Sequence, residues 1–257
     1  MILCLDIGNT HVFGGVLEDK KIKLRFRYPS KNPCTSDTIG LFLKEVLIEN
    51  GINAKEIKAI VVSSVVPALE YSIHSACKKY FSCPVLELKP GVKTGLKLDI
   101  KNPLELGSDR IANAVAAMDQ FPNKNLIIID FGTATTVCAI SKNKVYLGGC
   151  IFAGLKTSME ALSQNAAKLF AVEIEKPESA LGKSTESQIQ IGLYYGQLGT
   201  IKEIIQQYEK SIFKDETPVI VTTGGYSQLF SAKDLKSANI PDLILQGLRL
   251  IHEKNSA

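Results

Sequence analysis

Asp6-Ile7-Gly8-Asn9-Thr10 and Asp130-Phe131-Gly132-Thr133-Ala134-Thr135-Thr136 share an Asp-x-Gly turn followed by hydroxyl side chains, each directly after an apolar run. A glycine after a strand lets the backbone turn tightly, so that successive N–H groups, with Asn9 and Thr10 in the first segment, can surround phosphate oxygens. Asp6 at the strand end can hold a hydrated Mg²⁺ against the same phosphates. Alone, either segment also reads as a structural Asx turn, and the threonines also suit an exposed strand face. The pair favours phosphate binding, because two such hairpins facing each other can hold a nucleoside triphosphate.

Three further segments carry polar groups in suggestive order. Gly107-Ser108-Asp109-Arg110 precedes the apolar helical stretch 111–118. Ser108 can cap that helix with Asp109 favouring its dipole; equally, Asp109 can accept a hydroxyl proton while Arg110 holds an anionic group. Both readings stand at this point. Thr223-Gly224-Gly225-Tyr226 follows the predicted strand 218–222, and its adjacent glycines would let backbone approach a flat ligand such as an adenosine. Gly182-Lys183-Ser184-Thr185 imitates the tail of a P-loop, but Pro177 stands where the loop needs its first glycine. No dinucleotide-binding glycine pattern follows a strand. His11 lies in the first loop, whereas His74 and His252 fall on predicted helices without metal-ligand spacing.

The elements that must position these residues alternate. Strands are expected at 2–5, 12–17 and 22–28, the last two forming a hairpin, then a helix over 35–50 stopped by Gly51, and a strand over 59–66 ended by Pro67. Alternation of this kind predicts an α/β protein with mixed sheets. Sliding the N-terminal segment 124 residues along the chain lays Asp6-Ile7-Gly8 on Asp130-Phe131-Gly132 and the turn Glu18-Asp19-Lys20 on Lys142-Asn143-Lys144. Two duplicated domains are therefore expected, 1–118 and 119–257, with Pro122 blocking the helix that ends the first.

Composition bounds the alternatives. A chain of 257 residues with 45% hydrophobic content can bury two modest cores, which excludes a small disulfide-stapled fold. The net charge of +4 is spread over interspersed residues, so nucleic acid is not an expected partner. Cys4, Cys34, Cys77, Cys83, Cys138 and Cys150 form no C-x-x-C pair and read as reduced thiols of a cytoplasmic protein. No apolar run reaches membrane-spanning length, and Asp6 interrupts the N-terminal run before it could serve as a signal peptide.

Taken in order, Asp6–Thr10, Ser63-Ser64-Val65-Val66-Pro67, Gly107–Arg110, Asp130–Thr136, Leu147-Gly148-Gly149 and Thr223-Gly224-Gly225 resemble the type III pantothenate kinases over essentially the whole chain. The resemblance implies two ribonuclease-H-like domains of the actin-like ATPase fold around a nucleotide cleft. It implies transfer of a phosphoryl group from ATP to pantothenate, the first step towards coenzyme A, with Mg²⁺ and a monovalent cation (K⁺ or NH₄⁺), by a cytoplasmic homodimer. Carried onto this sequence, Asp6, Ile7, Gly8, Asn9, Thr10, His11, Val12 and Phe13 would form the first phosphate loop, with Thr133 a further nucleotide contact and Asp130 the monovalent-cation ligand. Gly107, Ser108, Asp109 and Arg110 would contact pantothenate, Asp109 as proton acceptor, and Thr185 would reach the substrate from the partner subunit. The sequence departs from the family pattern at Ile100, in place of a substrate-contacting Tyr, and at His11, Val12 and Ala153. The rival readings are another small-molecule kinase of the same superfamily and a nucleotide-binding regulator without catalysis.

Overall fold

A computed structural model describes residues 1–30, 35–230 and 232–256. Of the six cysteines, Cys34 lies outside the described residues; the other five form no disulfide among the described residues. Burial pushes the Cys77 thiol up to about 12 and raises Cys4 further, so neither offers a reactive thiolate.

The chain begins with β1 (Ile2–Ile7), β2 (His11–Glu18) and β3 (Lys21–Pro29), then α1 (Ser36–Glu49), β4 (Ala59–Ser64), α2 (Pro67–Tyr80), β5 (Val85–Glu87), β6 (Lys97–Leu98) and α3 (Ser108–Gln120). It continues with β7 (Leu126–Phe131), β8 (Ala134–Ser141), β9 (Val145–Ala153), α4 (Leu155–Asn165) and α5 (Thr185–Ser211). The last elements are β10 (Val219–Thr223), α6 (Ala232–Leu235), β11 (Ala238–Asn239) and α7 (Leu243–Asn255). Local chemistry explains the boundaries. Thr35 caps α1 by accepting the Thr38 N–H at 3.2 Å, and Gly51 closes that helix at φ +71°. Pro67, expected only to end a strand, occupies the first turn of α2, where its missing N–H costs nothing.

One sheet has the order β3-β2-β1-β4-β5, and the other contains the same arrangement as β9-β8-β7-β10-β11 with β6 added beside β9. In each, the first three strands are antiparallel and the next two join in parallel. β7 and β9 begin 124 residues after β1 and β3, whereas β8 begins 123 after β2 because the Gly132-Thr133 turn is one residue shorter than Gly8-Asn9-Thr10. A bulge also recurs, at Val16/Leu17 in one hairpin and at Ala139/Ile140 in the other. Chance similarity of two turns would not reproduce strand order, direction and bulge together.

The chain divides into two compact units, Met1–Leu96 with Asn102–Ala116 and Leu243–Ala257, and Lys97–Lys101 with Ala117–Asp242. Against the expected division at 118/119 the boundary itself lies after Ala116, and two distant segments change sides: the C-terminal helix returns to the first unit, and Lys97–Lys101 joins the second through the pairing of β6 with β9. Both exchanges are made by contacts distant in sequence.

In the first unit, Leu3, Leu5 and Ile7 point from β1 into a core shared with Ile39, Leu43 and Leu47 of α1 and Ile73 of α2. The opposite sheet face, on which Gly15 stands beside Cys4, receives Leu245 of α7. α7 in turn crosses α3 so closely that a Cβ on Gly247 would lie 2.0 Å from the Ala112 carbonyl oxygen. Gly247→Ala therefore sets two effects against each other. Helix propensity favours alanine by about 1 kcal/mol, while forcing apart packed backbone costs about 1–3 kcal/mol. Because the obstacle is main chain and cannot rotate away, the clash should win and the melting temperature should fall by several degrees. A rise in melting temperature would mean that the helices do not approach as described.

In the second unit, Ile127, Ile129 and Phe131 of β7 pack with Leu155 and Met159 of α4 and with Leu193, Leu198 and Ile201 of α5. Phe131 stacks on Phe230 with centroids 4.5 Å apart, and Phe230 on Tyr194 at 5.1 Å. This aromatic pile fixes the end of β7 where the second Asp-x-Gly turn begins.

Candidate active site

In the first unit, the parallel pairing of β1 and β4 sets Asp6 opposite Ser63 and Ile7 opposite Ser64. Ser63 Oγ donates to Asp6 Oδ1 at 3.0 Å and lies 2.9 Å from Ser108 Oγ. Ser108 Oγ also accepts the Ser64 N–H at 3.0 Å and donates to the Ser64 carbonyl at 2.9 Å. The start of α3 is thus fastened to the strand ends that carry the first loop. Its hydroxyl is not spent on capping its own helix, as the simpler sequence reading had it: the Ile111 N–H goes to the Gly107 carbonyl at 3.3 Å.

The first loop closes by a Gly8 N–H to His11 carbonyl bond of 3.1 Å, and the Val65 N–H ties β4's continuation to the Ile7 carbonyl at 3.1 Å. Ile7 and Val12 are core residues, so only their main chain is available to a ligand. Asn9 and His11 are exposed and Gly8 and Thr10 half-buried. Phe13 lies under the Arg27 guanidinium, 4.7 Å from ring centroid to Cζ.

Asp109 follows Ser108 in the first turn of α3. Burial raises its carboxyl above the ordinary carboxylate range, opposed by the Arg110 backbone N–H, which donates to Oδ1 at 2.8 Å, and by the Arg110 charge. The carboxylate folds back over Gly107, where a Cβ would stand 2.3 Å from Oδ1, so a side chain at this position would push the carboxylate aside. Asp6, Gly8–Thr10 and Gly107–Arg110 are therefore gathered in one unit. A buried carboxylate with raised proton affinity can act as a proton acceptor.

In the second unit, Asp130 near the end of β7 stands opposite Thr136 of β8 and Thr223 of β10. Gly224, at φ +93°, passes so close that a Cβ would lie 2.4 Å from Asp130 Oδ1 and 2.6 Å from the Phe131 nitrogen. The Thr133 carbonyl accepts from the Gly154 N–H at 3.1 Å and from Thr157 Oγ1 at 2.7 Å. Gln197 of α5 braces the same hairpin, accepting from Thr135 Oγ1 at 3.1 Å and donating to the Ala153 carbonyl at 2.6 Å.

Thr185 is the first residue of α5, whose cap is Ser184, with the Ser187 N–H donating to Ser184 Oγ at 3.2 Å. The apparent P-loop tail is thus a helix cap. Thr185 also lines a cavity of about 910 Å³ with Ala153, Leu162, Gly192, Gly196 and Gln197. Sequence reasoning quoted Ser63 only within a family motif, without a role, and passed over Gln197. The available signals were two adjacent serines ending an apolar strand and a glutamine on the apolar face of a helix.

Among the described residues, no three of His, Cys, Asp and Glu gather into a metal-sized cluster. Asp6 and Asp130 are single carboxylates beside hydroxyl-bearing residues. Such a donor set suits a hard cation whose remaining ligands come from water, main chain and phosphate.

A family profile described as type III pantothenate kinase matches residues 2–207. The chain is 57% identical over 255 residues to type III pantothenate kinase 1 of Francisella tularensis subsp. holarctica, covering 99% of this chain and 100% of that one. It is 53% identical over 257 residues to the type III pantothenate kinase of Legionella pneumophila, covering 100% of both. Among solved structures, a Campylobacter jejuni protein assigned to the Baf family of transcriptional activators matches with a TM-score of 0.63 at 20% identity, over 99% of this chain and 98% of that one. MreB5 of Spiroplasma citri bound to ADP matches with a TM-score of 0.55 at 10% identity, over 99% and 97%. At these identities the structural likeness is one of fold alone, the fold shared with MreB5.

Proposed function

Because the chain belongs to the type III pantothenate kinase family and so phosphorylates pantothenate with ATP on the way to coenzyme A, we propose how its residues divide that reaction. Asp109 accepts the proton of the primary hydroxyl of pantothenate. The freed oxygen forms its bond to the γ-phosphorus, the bond from that phosphorus to the β–γ bridging oxygen breaks, and ADP leaves. Little covalent chemistry falls to the protein in such a transfer, so positioning and charge neutralisation carry it.

The main chain and polar side chains of Asp6–Phe13 receive phosphate oxygens, Thr133 adds a nucleotide contact, and Gly224-Gly225 floors the adenosine. Asp6 holds hydrated Mg²⁺, which when bound neutralises phosphate charge. Asp130 is a ligand for K⁺ or NH₄⁺. The Gly107–Arg110 element contacts pantothenate, with Arg110 facing its carboxylate. The observation that carries this reading is the buried, raised carboxyl of Asp109, next in sequence to Ser108, whose hydroxyl is linked through Ser63 to Asp6. The test is ADP release with ATP and pantothenate in K⁺ buffer against a pantothenate-free control. Release that does not depend on pantothenate would overturn the reading.

For Asp130, replacement by Asn should lower activity and remove the advantage of K⁺ over Na⁺. Equal rates of the parent protein in the two buffers would remove the cation role altogether.

We further propose that the enzyme works as a homodimer in the cytoplasm, with Thr185 reaching the partner's pantothenate. The α4–α5 cavity supports this: Leu162 on its wall is exposed, and a Cβ on Gly192 or Gly196 would meet nothing within 4 Å, leaving a shallow apolar surface for a second copy. Among the described residues, no helix is long and apolar enough to cross a membrane. Light scattering should give a mass near twice that of the chain; a monomer would refute the shared site.

A further inference from the structure

We propose that Ser63 and Ser108 form a hydroxyl relay that transmits occupation of Asp6 to the helix start bearing Asp109, so that the Ser108 hydroxyl is a positioning group and only the main chain of Ser108 is left to contact pantothenate. The proposal rests on the assignment of Asp6 to the nucleotide and of Asp109 to the acceptor hydroxyl.

The argument is a count of protons. Each serine hydroxyl has one proton to give and two lone pairs to offer, and an ionised carboxylate only accepts. Ser63 Oγ stands 3.0 Å from Asp6 Oδ1 and 2.9 Å from Ser108 Oγ. Ser108 Oγ stands 2.9 Å from the Ser64 carbonyl, which also only accepts. Three oxygen–oxygen contacts therefore share two hydroxyl protons. If Ser63 gives its proton to Asp6 and Ser108 gives its proton to Ser64, the two hydroxyl oxygens face each other lone pair to lone pair. Ser63 is 0% and Ser108 7% exposed, so bulk water does not reach the pair to relieve this.

Occupation of Asp6 moves the shortage off the serine pair, because a carboxylate that neutralises a cation draws the Ser63 proton less strongly. Once a cation or its bound water engages the carboxylate, the Ser63 proton can turn to Ser108. Ser108 then accepts from Ser63 and from the Ser64 N–H and donates to the Ser64 carbonyl, which fills its capacity. The first turn of α3, with Asp109 next in sequence, is already tied to Ser64 and gains its third bond, from Ser63, only when the nucleotide pole is filled. The same count leaves the Ser108 hydroxyl nothing to offer the substrate.

Hydrogen exchange on the full chain, with and without Mg-ADP and without pantothenate, tests the relay separately from catalysis. In the parent protein, Mg-ADP should slow exchange at Ser64 and across Asp109–Ile111. In Ser63→Ala, bound Mg-ADP should leave Asp109–Ile111 unslowed, and kcat should fall by about 10–100-fold, the usual cost of removing an outer positioning group, with the KM for pantothenate unchanged. The Ser63→Ala/Ser108→Ala double variant should be no slower than the worse single variant, because both remove one relay. Ser108→Ala, which leaves buried β4 intact, makes the same exchange test if Ser63→Ala does not fold. Undiminished slowing in either single variant, or a raised KM with normal kcat in Ser108→Ala, would overturn the proposal. Loss of slowing together with full turnover in Asp109→Asn would instead sustain the relay and refute the role given to Asp109.

Discussion

Asp109→Asn is expected to lower the turnover of pantothenate by about 10²–10⁴-fold, the range a positioned proton acceptor supplies, while nucleotide affinity stays that of the parent. Asparagine keeps the shape and can still receive the Arg110 N–H, but it cannot take the substrate proton. The pH profile should change with it. In the parent, activity should fall on the acid side as Asp109 becomes protonated, with the limb displaced upwards from the ordinary carboxylate range because burial disfavours the charge. In the variant that limb should disappear. Turnover within a few-fold of the parent would show that another group, or water, takes the proton.

The same substitution has a stability consequence of definite sign. The folded chain holds the Asp109 proton to higher pH than the unfolded chain does. This group therefore favours folding below the ordinary carboxylate range, and the contribution is lost as pH rises through the raised value. Asparagine has no charge to desolvate. The variant should melt no lower than the parent at neutral pH, and the difference should close in acid. An enzyme that loses activity while keeping or gaining stability has its carboxylate placed for chemistry.

Gly224→Ala is expected to produce the second large loss. A side chain at φ +93° is strained whatever surrounds it, and here the new Cβ would also meet Asp130 Oδ1 and the Phe131 nitrogen. Strain of about 1–3 kcal/mol, relieved by displacing Asp130 and the end of β7, corresponds to roughly 5–150-fold in the affinity of whatever those groups bind. Titration calorimetry with a non-hydrolysable ATP analogue in K⁺ buffer reads this directly. The neighbouring Gly225→Ala supplies the contrast, since nothing lies within 4 Å of its Cβ and its φ is unexceptional. It should bind nearly as the parent does. Equal binding by both variants would mean that the close passage of Gly224 does not matter to the site.

Much of the architecture was legible from the chain because its signals are local. Apolar runs of strand length, Asp-x-Gly turns, the stop at Gly51 and the matching turns 124 residues apart follow from neighbours in sequence, and they led to two similar α/β halves and to the loops as phosphate sites. The missing glycine at Pro177 dismissed the P-loop, and the ordered set of motifs pointed to the family.

What the sequence left open was decided by residues distant in the chain. Ser108 looks the same whether it caps its own helix or bonds a strand 44 residues away, and only the parallel pairing of β1 with β4 puts Ser63, 57 residues from Asp6, within reach of that carboxylate. The return of α7 to the first unit depends on a glycine that fits against Ala112, and the bracing of Thr135 depends on a glutamine in another helix. Strand and turn formation is governed by local backbone preference and side-chain period. Hydrogen-bond partnership in a core is governed by which elements pack together, so the sequence alone determined the two loops and the carboxylates, and the tertiary structure decided how they are joined.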